Sequence, residues 1–376
     1  MSMLRFLSKR AIPLLLIPAL VLGIAVLPAS TPSVHAMLPR DEGDYPTDPD
    51  DPPPKTPTTT PGDADRDGIQ DTLEDSLMLK FAPVVSLHRD ETSLPANVDW
   101  YLSRVALRFH HDGGCSDDAI LGLGSVTQSN LSQQSHSTKG GWPFCSHNDD
   151  LVRSSQSRNT FSDEGFFLQP PNTNGFDSTV HRGSSNPADW KAYAHVKKSS
   201  YLSGGYDIQY WFFYPYNDSP EVAGIDLNHE GDWEHITVTV YGNETFHSAY
   251  YAAHDNEGKR YDKAQLIFAN HSGTVGSDQQ KLTGEYTHPV VYSAIGSHAS
   301  YNNVGSHYRG TVLPSDQTLW GKQWVTRNNV VNVGEAGYPL NNQRFILYGG
   351  LWGELGETTA STGPKGPAFQ SYWTSW

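Results

Sequence analysis

The stretch DLNHEGDWEHITVTV, residues 226–240, decides the fold. Its second half is a β-branched run suited to a pleated sheet surface. Taken as a strand from Asp232, a period of two sends Asp232, Glu234, Ile236, Val238 and Val240 to one face. Trp233, His235, Thr237, Thr239 and Tyr241 take the other, and the apolar row is the core face. Two carboxylates therefore open a row that becomes interior, where an unpaired charge is strongly unfavourable. Something positive has to meet them.

His229 lies three residues before Asp232, where a turn brings its ring back over the strand end and completes an H-x-x-D-x-E set. Carboxylates with one imidazole suit Ca²⁺, Mg²⁺ or Mn²⁺, with water completing the shell. The other reading is a buried hydrogen-bond network with no ion. Two further segments offer partners. In HPVVYSAIGSHASYNN, residues 288–303, a buried strand runs into a turn that projects Ser297, His298 and Ser300. In FFYPYNDSP, residues 212–220, an aromatic strand gives way to a turn carrying Asn217 and Asp218. The strand-end site thus comprises Asp218, His229, Asp232, Glu234 and His298.

From Phe81 onward the chain is a series of short apolar or alternating runs: FAPVVSLH, YDIQYWFFYPY, HITVTVY, AQLIFAN, HPVVYSAIG and RFILYGGLW. They are separated by Gly, Pro, Asn, Asp and Ser, the signature of short strands joined by turns. Only DTLEDSLMLK, ADWKAYAHVKK and SDQTLWGKQW have helical character. The expected fold is mainly β: a single antiparallel β-sandwich over residues 77–376, with long loops and a few short helices.

Before it stands DADRDGIQDTLE, residues 63–74, which fits the twelve-residue calcium-loop pattern throughout. Asp63, Asp65 and Asp67 supply carboxylates, Gly68 the sharp turn, Ile69 a carbonyl, Asp71 the ninth position and Glu74 a bidentate carboxylate. The upstream segment is proline-rich, so no helix precedes it, as in the single calcium loops of thrombospondin type 3-like and dockerin-like segments. Residues 37–62, rich in Pro, Thr and Asp, form a linker with almost nothing to bury. Residues 1–36 have the basic start, apolar run and small-residue cleavage site of a secretory signal peptide. The apolar run is shorter than a span needs and holds Pro13 and Pro18, so no transmembrane segment is expected in the mature, extracellular chain.

The formal net charge is −15, and residues 1–36 contribute only bases. Such acidity disfavours nucleic acid as a partner. Cys115 and Cys145, in an oxidising compartment, are expected to form a disulfide.

NHEGDWEHITV, HPVVYSAIGSHASY, FAPVVSLHRDETSLPANVDWYL and the closing YGGLWGE and GPKGPAFQSYW resemble the vacuolar protein sorting-associated protein 62 family, whose members share H-E-G-D-W-E and G-S-H-A-S-Y. Membership implies no defined activity. A more distant resemblance is to the necrosis- and ethylene-inducing-peptide-like cytolysins, β-sandwiches that bind a divalent ion at the end of a central strand. His229, Asp232 and Glu234 match their ion-site positions, Asp218 matches with one residue inserted, and His298 matches more loosely. Gly231 stands where those proteins have a histidine and Glu230 where they have an arginine.

Three functional readings follow. In the first the protein is a secreted, metal-binding module for glycan or lipid headgroups, its many Tyr and Trp side chains stacking on sugars. In the second it is a hydrolase using Glu230, Asp232 and Glu234, with His235 or His298 as proton shuttle. In the third the polar cluster is structural. No G-x-S-x-G elbow, H-E-x-x-H pair or P-loop occurs, which favours a protein that is not an enzyme.

Overall fold

The structure is a computed structural model, which describes residues 61–111, 116–136, 150–151, 165–171, 178–222, 226–254, 257–275, 284–310, 313–356 and 358–375. The expected signal peptide, nearly all of the expected linker, and both Cys115 and Cys145 lie outside the described residues. The described residues fall within the compact unit 57–376.

The chain is mainly β, with several sheets and a few short helices. Its centre is a six-stranded sheet in the order Lys259–Asp262, Phe246–Tyr251, His229–Val240, Tyr206–Asn217, Ala192–Lys198 and Val330–Asn332. All its pairings are antiparallel except the last, where Val330 runs alongside Ala192. The two twelve-residue strands carry the register, with Phe212 opposite Glu234 and Tyr214 opposite Asp232.

Both faces of this sheet are buried. On one, Ile236, Val238, Tyr210 and Phe212 pack with Val85, Val291 and Trp324 of a second sheet. That sheet is ordered Phe268–Ala269, His288–Ser293, Val84–Ser86, Gln323–Val325, and its two inner strands are parallel. On the other face, Tyr193, Trp211, Phe213 and Trp233 pack with Leu107, Phe109, Phe166 and Leu168 of a three-stranded sheet, Asp118–Leu121, Ala106–His110 and Gly165–Gln169. The single core face read from residues 226–240 is therefore one of two. Trp233 belongs to the second core, and His235 is buried between Trp211 and Tyr372.

Four segments fold differently from their composition. In ADWKAYAHVKK the alanines and lysines suggest a helix, but Ala192–Lys198 is a strand. Ala192, Ala194 and Val196 enter one core and Tyr193 the other, a separation that only a period of two achieves. SDQTLWGKQW supplies two strands, Asp316–Thr318 and Gln323–Val325, the second tied to Val84–Ser86. A Cβ on the intervening Gly321 would lie 2.4 Å from the Leu87 carbonyl oxygen, so the chain passes there only as glycine. In RFILYGGLW, Arg344–Leu347 is a 3₁₀ turn that plugs Phe345 and Ile346 into the second core. In AQLIFAN only Phe268–Ala269 pairs. Short apolar runs carry no period long enough to separate these outcomes.

DTLEDSLMLK forms the helix Asp71–Phe81, and its Leu77, Met78 and Phe81 join the first core together with Ile69 of the preceding loop. Among the described residues no helix is long and apolar enough to cross a membrane.

Candidate functional site

The loop before this helix gathers its acidic residues. One oxygen from each of Asp63, Asp65 and Asp67, and one from each of Asp65, Asp71 and Glu74, lie within 4.8 Å of one another. Gly68 takes the left-handed turn at φ 85° and its N–H donates to Asp63 Oδ2 at 3.1 Å, while Ala64 N–H donates to Asp71 Oδ1 at 3.0 Å. Those bonds orient the carboxylates and leave their other oxygens inward. Asp63 Oδ1, both oxygens of Asp65 and Glu74 Oε1 are buried without a hydrogen-bond partner among the described residues. Burial, then the negative charge of Asp67, pushes Asp65 up to about 7. Burial, then the charges of Asp65 and Asp67, pushes Glu74 up to about 9. Glu74 Oε2 accepts from Asn332 at 3.0 Å, which ties the loop to the central sheet. Orphaned buried acceptors at calcium-loop spacing are what a hard cation satisfies. Asp63, Asp65, Asp67, Asp71 and Glu74, with the Ile69 carbonyl, fit Ca²⁺.

At the strand end the structure brings together Asp232 and His298, with Glu234 beside them. Both imidazole nitrogens face acceptors: Nδ1 donates to Asp232 Oδ2 at 2.8 Å and Nε2 to the Ser93 carbonyl at 3.1 Å, with Glu91 Oε2 at 3.6 Å. A ring donating from both nitrogens is an imidazolium. Burial pulls His298 down, but the charges and hydrogen bonds of Glu91 and Asp232 outweigh it and push the group up to about 10. The Tyr214 ring stacks on it at 3.8 Å and 4°. His298 itself sits at φ 57°, in the left-handed region, which aims its ring back across the sheet.

The counter-charge demanded by Asp232 is thus supplied by the protein. Burial, then the charge of Asp232, pushes Glu234 well above the usual carboxylate range. The remaining two residues of the set are held elsewhere. The His229 Nδ1 is 2.9 Å from the Gly231 carbonyl, and Asp218 is exposed, tied in by its N–H donating to the Gly296 carbonyl at 2.9 Å. No group of three converging metal-ligating atoms among the described residues includes Asp218, His229, Asp232, Glu234 or His298.

Three features were not read from the sequence. Glu91, from the LHRDETSL segment, is the second anchor of His298; its Oε1 accepts from Thr92 and Ser93 N–H and its Oε2 from Gly296 N–H. Glu230 goes to the opposite side from Asp232, because Gly231 at φ 63° breaks the alternation. There it lies 3.5 Å from His181, which stacks on Tyr216, and beside Glu354, which burial and then the Glu230 charge push up to about 7. Asp316 collects Ser297, His254 and Tyr301 at 3.0, 2.7 and 2.7 Å. No local spacing signals these groupings, since each joins residues far apart in the chain. His235, a shuttle in the hydrolase reading, is a core side chain that burial pushes down to about 3, so it is neutral.

Residues 150–315 match the family described as vacuolar protein sorting-associated protein 62. The chain resembles that family, as its motifs indicate. Vacuolar protein sorting-associated protein 62 of Saccharomyces cerevisiae is 24% identical over 327 residues, 77% of this chain and 64% of the yeast protein. The putative vacuolar protein sorting-associated protein TDA6 of the same yeast is 29% identical over 196 residues, 45% of this chain and 42% of the relative. The chain therefore spans less than two thirds of the length of these Vps62-type relatives. Among solved structures, Necrosis and Ethylene inducing Protein 2 from the causal agent of cocoa's Witches Broom disease aligns over 72% of this chain and 77% of its own, with 12% identity and a TM-score of 0.30. NLPPya in complex with glucosamine aligns over 77% and 81%, with 12% identity and a TM-score of 0.30.

Proposed function

We propose that this Vps62-like chain is an exported, calcium-loaded β-sandwich protein that binds glycan or lipid headgroups at one edge. The observation that carries the calcium half is the set of buried, unpartnered oxygens on Asp63, Asp65 and Glu74, arranged at calcium-loop spacing. The loop shares a core with the sandwich through Ile69 and the helix behind it, so the ion's role is to fix that corner of the fold. Export rests on the signal-like residues 1–36.

The binding half rests on exposed apolar surface beside the His298 turn. Ile295, Val304, Tyr308 and Trp320 are all exposed large hydrophobics within one stretch of 26 residues, and Tyr308 is 73% exposed. Strand pairing of Gly305–His307 with Asp316–Thr318, and the Ile295 N–H donating to the Gln317 carbonyl, hold these segments side by side. Aromatic rings presented on an exposed edge suit an amphipathic ligand, such as a sugar whose faces stack on them. The turn is occupied by its own ion pair, which makes it a scaffold for this edge.

Titration of the purified protein against a glycan panel and against vesicles of defined headgroup, with calcium or chelator, tests the reading. Saturable binding that Tyr308→Ala and Trp320→Ala weaken at least about tenfold supports it. Absence of binding across both panels by the calcium-loaded protein overturns the binding half. Absence of calcium by elemental analysis, after dialysis against calcium-containing buffer, overturns the other.

A further inference from the structure

We propose that His111, Asp118 and His136 form a second metal site, one that selects zinc or a similar borderline transition metal over calcium. His111 follows the strand Ala106–His110, Asp118 opens its antiparallel neighbour Asp118–Leu121, and His136 ends the two-residue strand Ser135–His136. The three arrive from separate elements and converge on one point. Nε2 of His111 lies 3.0 Å, and Nε2 of His136 2.8 Å, from the same atom, Asp118 Oδ2. All three ligand atoms lie within 4.8 Å of one another.

Three further properties fit a metal centre. Both imidazoles are buried, while the carboxylate is 54% exposed, so the site is walled on the histidine side and opens to solvent on the other. The rings are held by packing: His136 stacks on Phe109 at 4.1 Å and 6°, and His111 meets the same ring edge-on at 5.5 Å. Such packing fixes the direction of both nitrogens in advance, the preorganisation that metal sites need. Ligands about 2.0 to 2.2 Å from a tetrahedral ion stand roughly 3.4 Å apart, and the two separations from Asp118 need to open by only about half an ångström.

The donor set decides the metal. Two imidazole nitrogens and one carboxylate oxygen suit Zn²⁺, Co²⁺ or Fe²⁺, whereas the all-oxygen loop at residues 63–74 suits Ca²⁺. Three ligands among the described residues, one of them an exposed carboxylate, also suit the arrangement in which zinc holds three protein ligands and a water.

The test uses the full chain, stripped with chelator and then held in excess calcium so that the loop is filled, and titrated with Co²⁺ and Zn²⁺. One equivalent of Co²⁺ is expected to give visible absorption bands of a nitrogen- and oxygen-ligated ion, displaced by Zn²⁺. Asp118→Ala, at an exposed side chain, and His136→Gln are each expected to weaken binding at least about 100-fold. Far-UV circular dichroism and the melting temperature in chelator verify that both variants fold, and Asp118→Ala keeps the test open if His136→Gln does not. Asp65→Asn, in the calcium loop, is expected to leave Co²⁺ binding unchanged. The proposal is overturned if the folded wild type shows no saturable Co²⁺ binding below millimolar. It is equally overturned if Asp118→Ala leaves the affinity within twofold, or if Asp65→Asn removes the binding.

Discussion

Gly231 determines where the charged start of the central strand points. At φ 63° it occupies backbone space that other residues reach only with strain, and a Cβ there would lie 2.3 Å from the Trp352 carbonyl oxygen. Gly231→Ala is therefore expected to cost at least about 2 kcal/mol, combining conformational strain with a backbone clash. A urea melt that finds the variant within 0.5 kcal/mol (roughly the effect of a neutral surface change) would contradict this. Because Gly231 also separates Glu230 from Asp232, the three acids of HEGDWEH do not act as one cluster: Glu230 answers to His181, Asp232 to His298, and Glu234 is pushed upward by its burial and by Asp232. In the calcium loop, Glu74→Gln removes the carboxylate oxygen that lacks a partner and is expected to weaken calcium binding by an order of magnitude or more, read by titration calorimetry.

The central strands are covered on both sides, and this sets what their mutations cost. Phe212 and Phe213 are adjacent in sequence, both fully buried, and belong to different cores. In a two-layer sandwich with one wet face, only one of such a pair would matter. Here Phe212→Ala and Phe213→Ala are each expected to destabilise by about 3 to 5 kcal/mol, measured by denaturant unfolding. A result in which either costs under about 1 kcal/mol would mean that its face is not a core. The same two-sided burial turned ADWKAYAHVKK into a strand, since its small and large side chains had to reach opposite layers. The helix Asp71–Phe81 was legible because its first-turn acids Asp71 and Glu74 and its buried Leu77, Met78 and Phe81 lie within a few residues.

For the molecule as a whole, pH and calcium act through groups in separate parts of the fold. His298 has its ordinary value near 6.5 raised to about 10, so its contribution to stability is fully present below 6.5 and is lost as pH rises through 10. Glu91 is lowered by the His298 imidazolium despite its burial, so its contribution is present above the usual carboxylate range and is lost on acidification. His235 and His288, pushed down by burial to about 3 and about 4, are neutral in the fold, and their contribution is lost as pH falls below 6.5. Taken alone, these four groups place the stability maximum in saturating calcium near pH 6.5. His298→Gln should flatten the alkaline limb between pH 6.5 and 10; a limb as steep as the wild type's would remove His298 from the account. Calcium at 100 times its Kd is expected to stabilise by about 2.7 kcal/mol and to raise the melting temperature by a few degrees, an effect that chelator reverses. By itself the sequence determined the β-rich class, a central strand running from Asp232 and the acidic loop at residues 63–74, because each depends on residues close together in the chain, through period-two alternation or fixed residue spacing. Only the tertiary structure decided that the central sheet has two cores, that His298 answers Asp232 with Glu91 as its second anchor, and that His111, Asp118 and His136 meet. Those outcomes depend on which distant segments pack together, and burial, which forces every enclosed charge to find a partner, acts only once they have.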